Sequence, residues 1–386
     1  MAIQDYTTDR RREQARETSS VRAATIDPVP ARIKVVGVGN GGCNCVKRMM
    51  RHTVPGMTFA MVNTDNIDLE TSDPRVDVIQ IGANKARTWG SGGDYQANGG
   101  GSDESSEQLR RTLSNTDLVF VTAGMGGGVG TGAAPYVAHL AKEQGALVVG
   151  LITAPFSFEG RRRMGLAVAG VDRLRPYVDN LILIHNDRLL NYFDRGAHMA
   201  QAFRKADEVV SQGIMGISES INADQEINVK FADVRSVMNY RGGAFMSIGR
   251  GIGSTGPEEA ARQAVANPLL DLSFNKATGV LIMVKGGTAG MTLGGVNAAR
   301  QVVADAVLKD ANIFIGVGVD ENMGEEVSIT LIATGLQRDS MEAAPDLVRI
   351  QNYTRFDQSL GGGHDPSLIP GGPSGPDKTI IKGRYP

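Results

Sequence analysis

Six short apolar runs, rich in β-branched residues, recur through the first half of the chain, at 33–38, 58–63, 76–81, 117–123, 146–153 and 180–185. Each is continuously apolar instead of alternating, the pattern of strands buried on both faces. Most of the gaps carry a helical pattern, at 105–113, 133–144 and 161–178. Strands alternating with helices predict an α/β fold with a mostly parallel sheet covered on both sides. Further on, Phe203, Ala206, Val210, Ile214 and Ile217 fall at helical spacing within 199–220. One apolar face results, which predicts a central helix packed through it. After a loop at 228–233 the texture changes near Asn275. A strand at 279–285, a helix at 296–308 and strands at 313–319 and 326–334 around the turn 320–324 predict a smaller C-terminal α/β domain. The expected organisation is an N-terminal arm (1–31), a nucleotide-binding domain (32–198), the central helix (199–222), a loop and second domain (223–338), and a tail (339–386). The arm is polar and ends in Asp27-Pro-Val-Pro30, and residues 361–386 hold 12 Gly or Pro, so both ends are expected to be disordered.

Composition narrows the function classes. A net charge of −2 over 386 residues offers no basic surface for nucleic acid or for a membrane. Two cysteines only, Cys43 and Cys45, make neither a disulfide framework nor a metal site, and a reducing compartment is expected. The first 20 residues are charged and lack an apolar core, so no signal peptide is read there. No run approaches the ~20 apolar residues of a membrane span. The chain reads as cytoplasmic, without direct membrane insertion.

Glycine is the outlier at 49 residues, and it clusters. Gly37-Val-Gly39-Asn-Gly-Gly42 follows the first strand and fits a dinucleotide fingerprint, with Asp65 near the end of the next strand. Glycines there let backbone N–H groups approach a phosphate, and a following helix N-terminus favours negative charge. Alone, that motif suits NAD, FAD or a mononucleotide equally. Gly124-Met-Gly-Gly-Gly-Val-Gly-Thr-Gly132 holds six glycines in nine residues after the fourth strand. Each glycine costs backbone entropy, so the density argues for a nest of N–H groups aimed at an anion. A dinucleotide fold needs no second nest at that point, and no G-x-x-x-x-G-K-[ST] motif is present. A third glycine segment at 90–101 reads as a mobile loop.

With these motifs the chain resembles the FtsZ family, the tubulin-related GTPases of cell division, from about residue 33 to 337. Gly126-Gly-Gly-Val-Gly-Thr-Gly132 differs at one residue from the family signature G-G-G-T-G-T-G. Val62-Asn-Thr-Asp65, Pro155-Phe-Ser-Phe-Glu-Gly-Arg-Arg-Arg-Met164, Asn186-Asp-Arg-Leu-Leu190 and the segment 228–238 follow in the family's order. The resemblance implies a Rossmann-like GTPase sheet, a central helix and a smaller C-terminal domain.

It further implies a site. Phosphates would lie on Asn40, Gly41, Gly42, Cys43 and Asn44 and on Gly127, Gly128, Val129, Gly130 and Thr131. Glu159 and Arg163 would contact the ribose, and Asp207, helped by Asn44, would read guanine. A carboxylate can accept from both guanine N1–H and N2–H, a donor pair adenine lacks. Taken alone, Asp207 reads as an ordinary helix carboxylate. Asn228 and Asp233 belong to the element that in the family reaches the nucleotide of the next subunit, so GTP is cleaved to GDP and phosphate only in head-to-tail filaments. Mg²⁺ is the expected cation. The expected partners are further copies of the chain and a membrane-tethering division adaptor bound by the tail, with assembly at the division site.

Three departures qualify this. Lys230 stands where the family has the first aspartate of N-x-D-x-x-D, and a cationic ammonium is no general base. Val129 replaces the signature's first threonine, removing a hydroxyl but keeping the backbone donors. The tail ends with Lys378, Lys382 and Arg384 where the family ends acidic, which puts the usual adaptors in doubt. Slow turnover is therefore expected. The alternatives are a GTP-binding filament protein with vestigial hydrolysis and, from the first glycine motif alone, an NAD-dependent oxidoreductase.

Overall fold

The computed structural model describes residues 30–52, 54–65, 69, 73–82, 105–190, 198–223, 225–240, 242–266 and 274–336. Nearly all of the N-terminal arm, the glycine segment 90–101 and the tail lie outside the described residues. The first half runs β1 (Ile33–Val38), α1 (Gly39–Met49), β2 (Met57–Asn63), β3 (Val76–Gln80), α2 (Ser106–Leu113), β4 (Leu118–Gly124), α3 (Gly128–Glu143), β5 (Leu147–Ala154), α4 (Arg161–Leu174), β6 (Asn180–His185) and α5 (Asn186–Leu189). The long helix α6 (Met199–Asn222) follows, then α7 (Phe231–Met238), β7 (Gly243–Ile252), α8 (Gly256–Val265), β8 (Gly279–Gly286), α9 (Leu293–Ala306), β9 (Asn312–Val319) and β10 (Glu326–Leu336).

One sheet takes all these strands, in the order β3-β2-β1-β4-β5-β6-β7-β10-β8-β9. From β3 to β6 every pair is parallel. The continuously apolar runs have the expected cause. On β1, Ile33 and Val35 enter one core cluster while Val36 and Val38 enter another on the opposite face. On β4, Leu118 and Phe120 divide from Val119 and Val121 in the same way. A parallel sheet with helices on both sides needs apolar side chains at every position. Strand order reverses between β1 and β4, so a crevice opens beyond their carboxyl ends, where open α/β sheets bind ligands.

The second half joins through one registered pair, Ile182 with Ala244 between β6 and β7. There β10 runs antiparallel to both β7 and β8, while β8 and β9 are parallel. Helix α6 seats Val210, Ile214 and Ile217 in a core that also holds Met238, Met246, Leu281 and Ile332 from beyond it. It is thus central, as its apolar stripe implied.

Two differences from the sequence pattern have physical causes. Strand β7 and helix α8 are absent from the periodicity reading because Gly243, Gly249 and Gly251 interrupt the apolar run. Those glycines permit contact: a Cβ on Gly249 would stand 1.9 Å from the Ala260 carbonyl oxygen on α8. The glycine motifs, read as loops, are largely helical: 39–42 opens α1, and 128–132 forms the first turns of α3.

Candidate functional site

Helices α1 and α3 both begin at the switch point, and the cavity between them is about 460 Å³. The first N–H groups of each helix have no intrahelical acceptor, so they are free for a ligand. In α3 the N-cap Gly127 is extended, Thr131 N is the donor that closes back on Gly127 O at 3.2 Å, and Gly128, Val129 and Gly130 line the cavity. Gly39, Asn40, Gly41 and Asn44 of α1 face them across it. Neither helix carries an acidic residue in its first turn. Two positive helix ends therefore converge with no carboxylate in either first turn, an arrangement suited to an anion. A Cβ added at Gly127 would meet nothing within 4 Å, so that glycine keeps space open; one added at Gly130 would lie 2.4 Å from Gly124 O.

The opposite end has a different chemistry. Phe203 and Asp207 lie one turn apart on α6, and both line the cavity. Phe203 is 40% exposed and meets Phe156 edge-on at 5.1 Å, and Phe156 stacks on Phe158 at 4.9 Å. A ring beside a carboxylate suits a flat heterocycle with a donor edge. The Asp207 side chain is only 17% exposed. Burial pushes its carboxyl above the usual range, against the opposing charge and hydrogen bond of Arg48, whose Nε donates to Oδ2 at 3.1 Å.

Between the two ends stand Glu159 and Arg163, ion-paired to each other across one helical turn. Glu159 also accepts from Phe156 N at 2.9 Å. Asn63 Nδ2 donates to Asn40 Oδ1 at 3.1 Å, which fixes Asn40 at the mouth of α1. Thr64 Oγ1 and Asn186 Oδ1 are buried at the cavity without a hydrogen-bond partner among the described residues. Buried polar atoms are nearly always satisfied, so both fit a ligand's donors or acceptors. Among the described residues no group of three His, Cys, Asp or Glu side chains could hold a metal, so a Mg²⁺ here would share its ligands with phosphate oxygens.

Of the residues singled out in the sequence, the cavity gathers Asn40, Gly41, Asn44, Gly127, Gly128, Val129, Gly130, Glu159, Arg163 and Asp207. Gly42, Cys43 and Thr131 are not among the residues that line it. A Cβ on Gly42 would come within 2.3 Å of Thr122 O, so this glycine lets α1 lie against β4. Cys43 is fully buried, its Sγ 3.6 Å from Gly37 O. Thr131 is buried too, and its Oγ1 accepts from Gly126 N at 2.9 Å, holding the turn that shapes the cradle.

Asn228 and Asp233 do not reach this cavity. Asn228 and Lys230 are exposed ahead of α7, with Asp233 in its first turn. Their segment is tied to β9 by Ile227 N to Val317 O at 3.0 Å and to α6 by Val229 N to Ser220 O at 3.0 Å. Ser220 follows Asp207 by 13 residues of α6, or ~20 Å at 1.5 Å per residue.

Phe203 was read as core, and Arg48, Thr64 and Asn186 carried no role. The 203/207 spacing was a usable signal, since an aromatic one turn from a carboxylate shares its face. Arg48 had no such signal.

A model of the Tubulin/FtsZ family GTPase domain matches residues 32–194, and one of the FtsZ family C-terminal domain matches 242–337. An empty FtsZ dimer from M. jannaschii is 34% identical, with a TM-score of 0.76, over 85% of this chain and 93% of that one. CetZ2 from Haloferax volcanii, in a GTPγS-bound protofilament, has a TM-score of 0.70 at 20% identity, over 86% of this chain and 99% of its own. CetZ1 from the same organism, a GDP-bound monomer, also gives 0.70, at 18% identity over 85% and 100%.

Proposed function

The chain belongs to the tubulin/FtsZ family and is a tubulin-like GTP-binding protein, and on that premise we propose that it assembles head to tail into cell-division filaments and hydrolyses GTP slowly at the contact between subunits. The observation that carries this is a single cavity with two helix N-termini, neither with an acidic first turn, at one end and Phe203 with Asp207 at the other. Phosphates go to the N–H groups of 39–41 and 127–130, the ribose to Glu159 and Arg163, and the guanine edge to Asp207 with Asn44 nearby. Thr64 Oγ1 and Asn186 Oδ1 gain the partners they lack. The division of the chain at 32–198, 199–222 and 223–338 follows the same reading.

Asp233 supplies the hydrolytic carboxylate to a neighbour. Its segment lies ~20 Å along α6 from the base reader of its own chain, so the nucleotide it serves is another subunit's. A heterologous contact of this kind does not close and yields an open filament. The neighbours support it: the M. jannaschii FtsZ is a dimer and the CetZ2 a protofilament. The division role rests on the FtsZ-type C-terminal match and the higher identity to FtsZ. Turnover is slow because Lys230 takes a carboxylate's place and Val129 a hydroxyl's. Lys230 also favours a second reading, in which hydrolysis is vestigial and the filament structural.

Light scattering with GTP against GDP, with phosphate release followed in parallel, tests the assembly and the chemistry together. GTP-dependent scattering with slow release supports the proposal. Scattering without release in a single turnover supports the structural reading, and scattering that ignores the nucleotide sinks both.

A further inference from the structure

Arg48 stands in the wall between two cavities. The second, about 800 Å³, lies between α1, α6 and strands β7, β8 and β10, and Arg48 lines it. Yet its Nε donates to Asp207 Oδ2 at 3.1 Å, and Asp207 lines the first. The pair joins helices that meet only through folding, at a sequence separation of 159. Arg48 is 40% exposed against 17% for Asp207, so the cation keeps its water while the carboxylate has lost most of its own.

Among the described residues Arg48 is the cation that pairs with Asp207; nearby Lys205 pairs with Glu208 instead. Cys45, also on α1, places its buried Sγ 3.7 Å from the Asp207 carbonyl oxygen and offers no charge to help. Arg48 takes one acceptor position on Oδ2, and a carboxylate has about four, so room is left for a base edge.

We infer that Arg48 is a positioning residue for guanine recognition: it holds the Asp207 carboxylate ionised and aimed, so that both oxygens can accept from N1–H and N2–H. The inference rests on the reading of this cavity as the GTP site. A carboxyl withdrawn from water is driven towards its neutral form, and a neutral carboxyl spends one oxygen as a donor. Guanine would then meet O–H where it needs an acceptor. Adenine, which offers the N1 acceptor and no donor pair at that edge, would lose nothing. Arg48 therefore acts on discrimination between bases and leaves phosphate binding untouched.

The test is calorimetric titration of GDP and ADP into the full chain as wild type, Arg48→Gln, Arg48→Lys, Asp207→Asn and the Arg48→Gln/Asp207→Asn double variant. GDP should weaken by about tenfold in Arg48→Gln, the scale of one charge-assisted hydrogen bond. ADP should not weaken. Arg48→Lys should recover part of the loss by restoring the charge. In the Asp207→Asn background Arg48→Gln should add nothing, because its target is gone. Equal loss of GDP and ADP, no loss, or tighter GDP in Arg48→Gln each overturns the role of Arg48 while leaving the site reading intact. A wild type with no preference for GDP overturns the site reading and this inference with it.

Discussion

Gly127 and Gly130 sit in the same turn but do opposite things. The space beside Gly127 is open to the cavity, whereas a Cβ on Gly130 would press on Gly124 O at 2.4 Å. Gly127→Ala should therefore melt like wild type but bind GTP at least tenfold more weakly, since the methyl fills the phosphate cradle. Gly130→Ala should lose about 1–3 kcal/mol of stability through overpacking. Thermal melts with and without nucleotide separate the two, and identical behaviour would contradict the cradle geometry. Asp207 makes a prediction about pH. Its folded carboxyl titrates above the unfolded value of ~3.9. Between those two values the folded state keeps a proton the unfolded state has released, so stability declines as pH rises through the window and stays lower above it. Guanine binding runs the other way, because it needs the ionised form. GDP affinity should fall on acidification through that window in wild type, with Arg48 and Cys45 as the facing groups, and the fall should be smaller in Asp207→Asn. Both glycine motifs were visible in the sequence. Which glycine faces the ligand and which the neighbouring backbone was not, because that depends on chain segments from other strands.

At the scale of elements, α7 opens with Lys230 at its N-cap and Asp233 in its first turn. An anion is favoured there by the helix dipole, so Asp233→Asn should cost a modest ~0.3–1 kcal/mol of stability. On the proposed mechanism it should abolish phosphate release while GTP still binds; unchanged release would remove Asp233 from the chemistry. Lys230→Asp should raise turnover by restoring a second carboxylate beside the neighbour's nucleotide. Steady-state phosphate release on polymerised protein measures both, and a lowered rate in Lys230→Asp would reverse the assignment. The segment was legible as a motif, but it reads as a loop over 228–233, where the helix begins at Phe231. Strand β7 and helix α8 were not, since Gly249 sacrifices apolar periodicity to admit α8 at its backbone.

For the whole molecule, the long helix α6 sets the distances. It carries Asp207, the proposed base reader, near its start and anchors the segment that leads to Asp233 near its end. On the proposed mechanism one subunit thus holds two halves of a site that cannot meet within it. Phosphate release per subunit should rise with protein concentration, following assembly. A specific activity that stays constant on dilution below the scattering threshold would mean that each chain hydrolyses alone. At the second cavity Lys285 of β8 pairs with Glu219 of α6 at 3.2 Å, while Arg250 and Glu326 pair at 2.9 Å between the neighbouring strands β7 and β10. Neither pair spans the two halves of the sheet; the packing of α6 in the core that both halves share does.

The sequence by itself determined the order of strands and helices in the parallel half, the burial of those strands on both faces, and the glycine-rich openings after β1 and β4. These are properties of neighbours along the chain, expressed as periodicity and local glycine density. Only the tertiary structure decided that Gly42, Cys43 and Thr131 do not line the cavity, that Phe203 leaves the core to face it, and that Arg48 holds Asp207 from 159 residues away. Those outcomes depend on which faces of α1, α3 and α6 meet at the switch point. That is a matter of packing between distant segments, and of these outcomes only the one-turn spacing of Phe203 and Asp207 leaves a local trace.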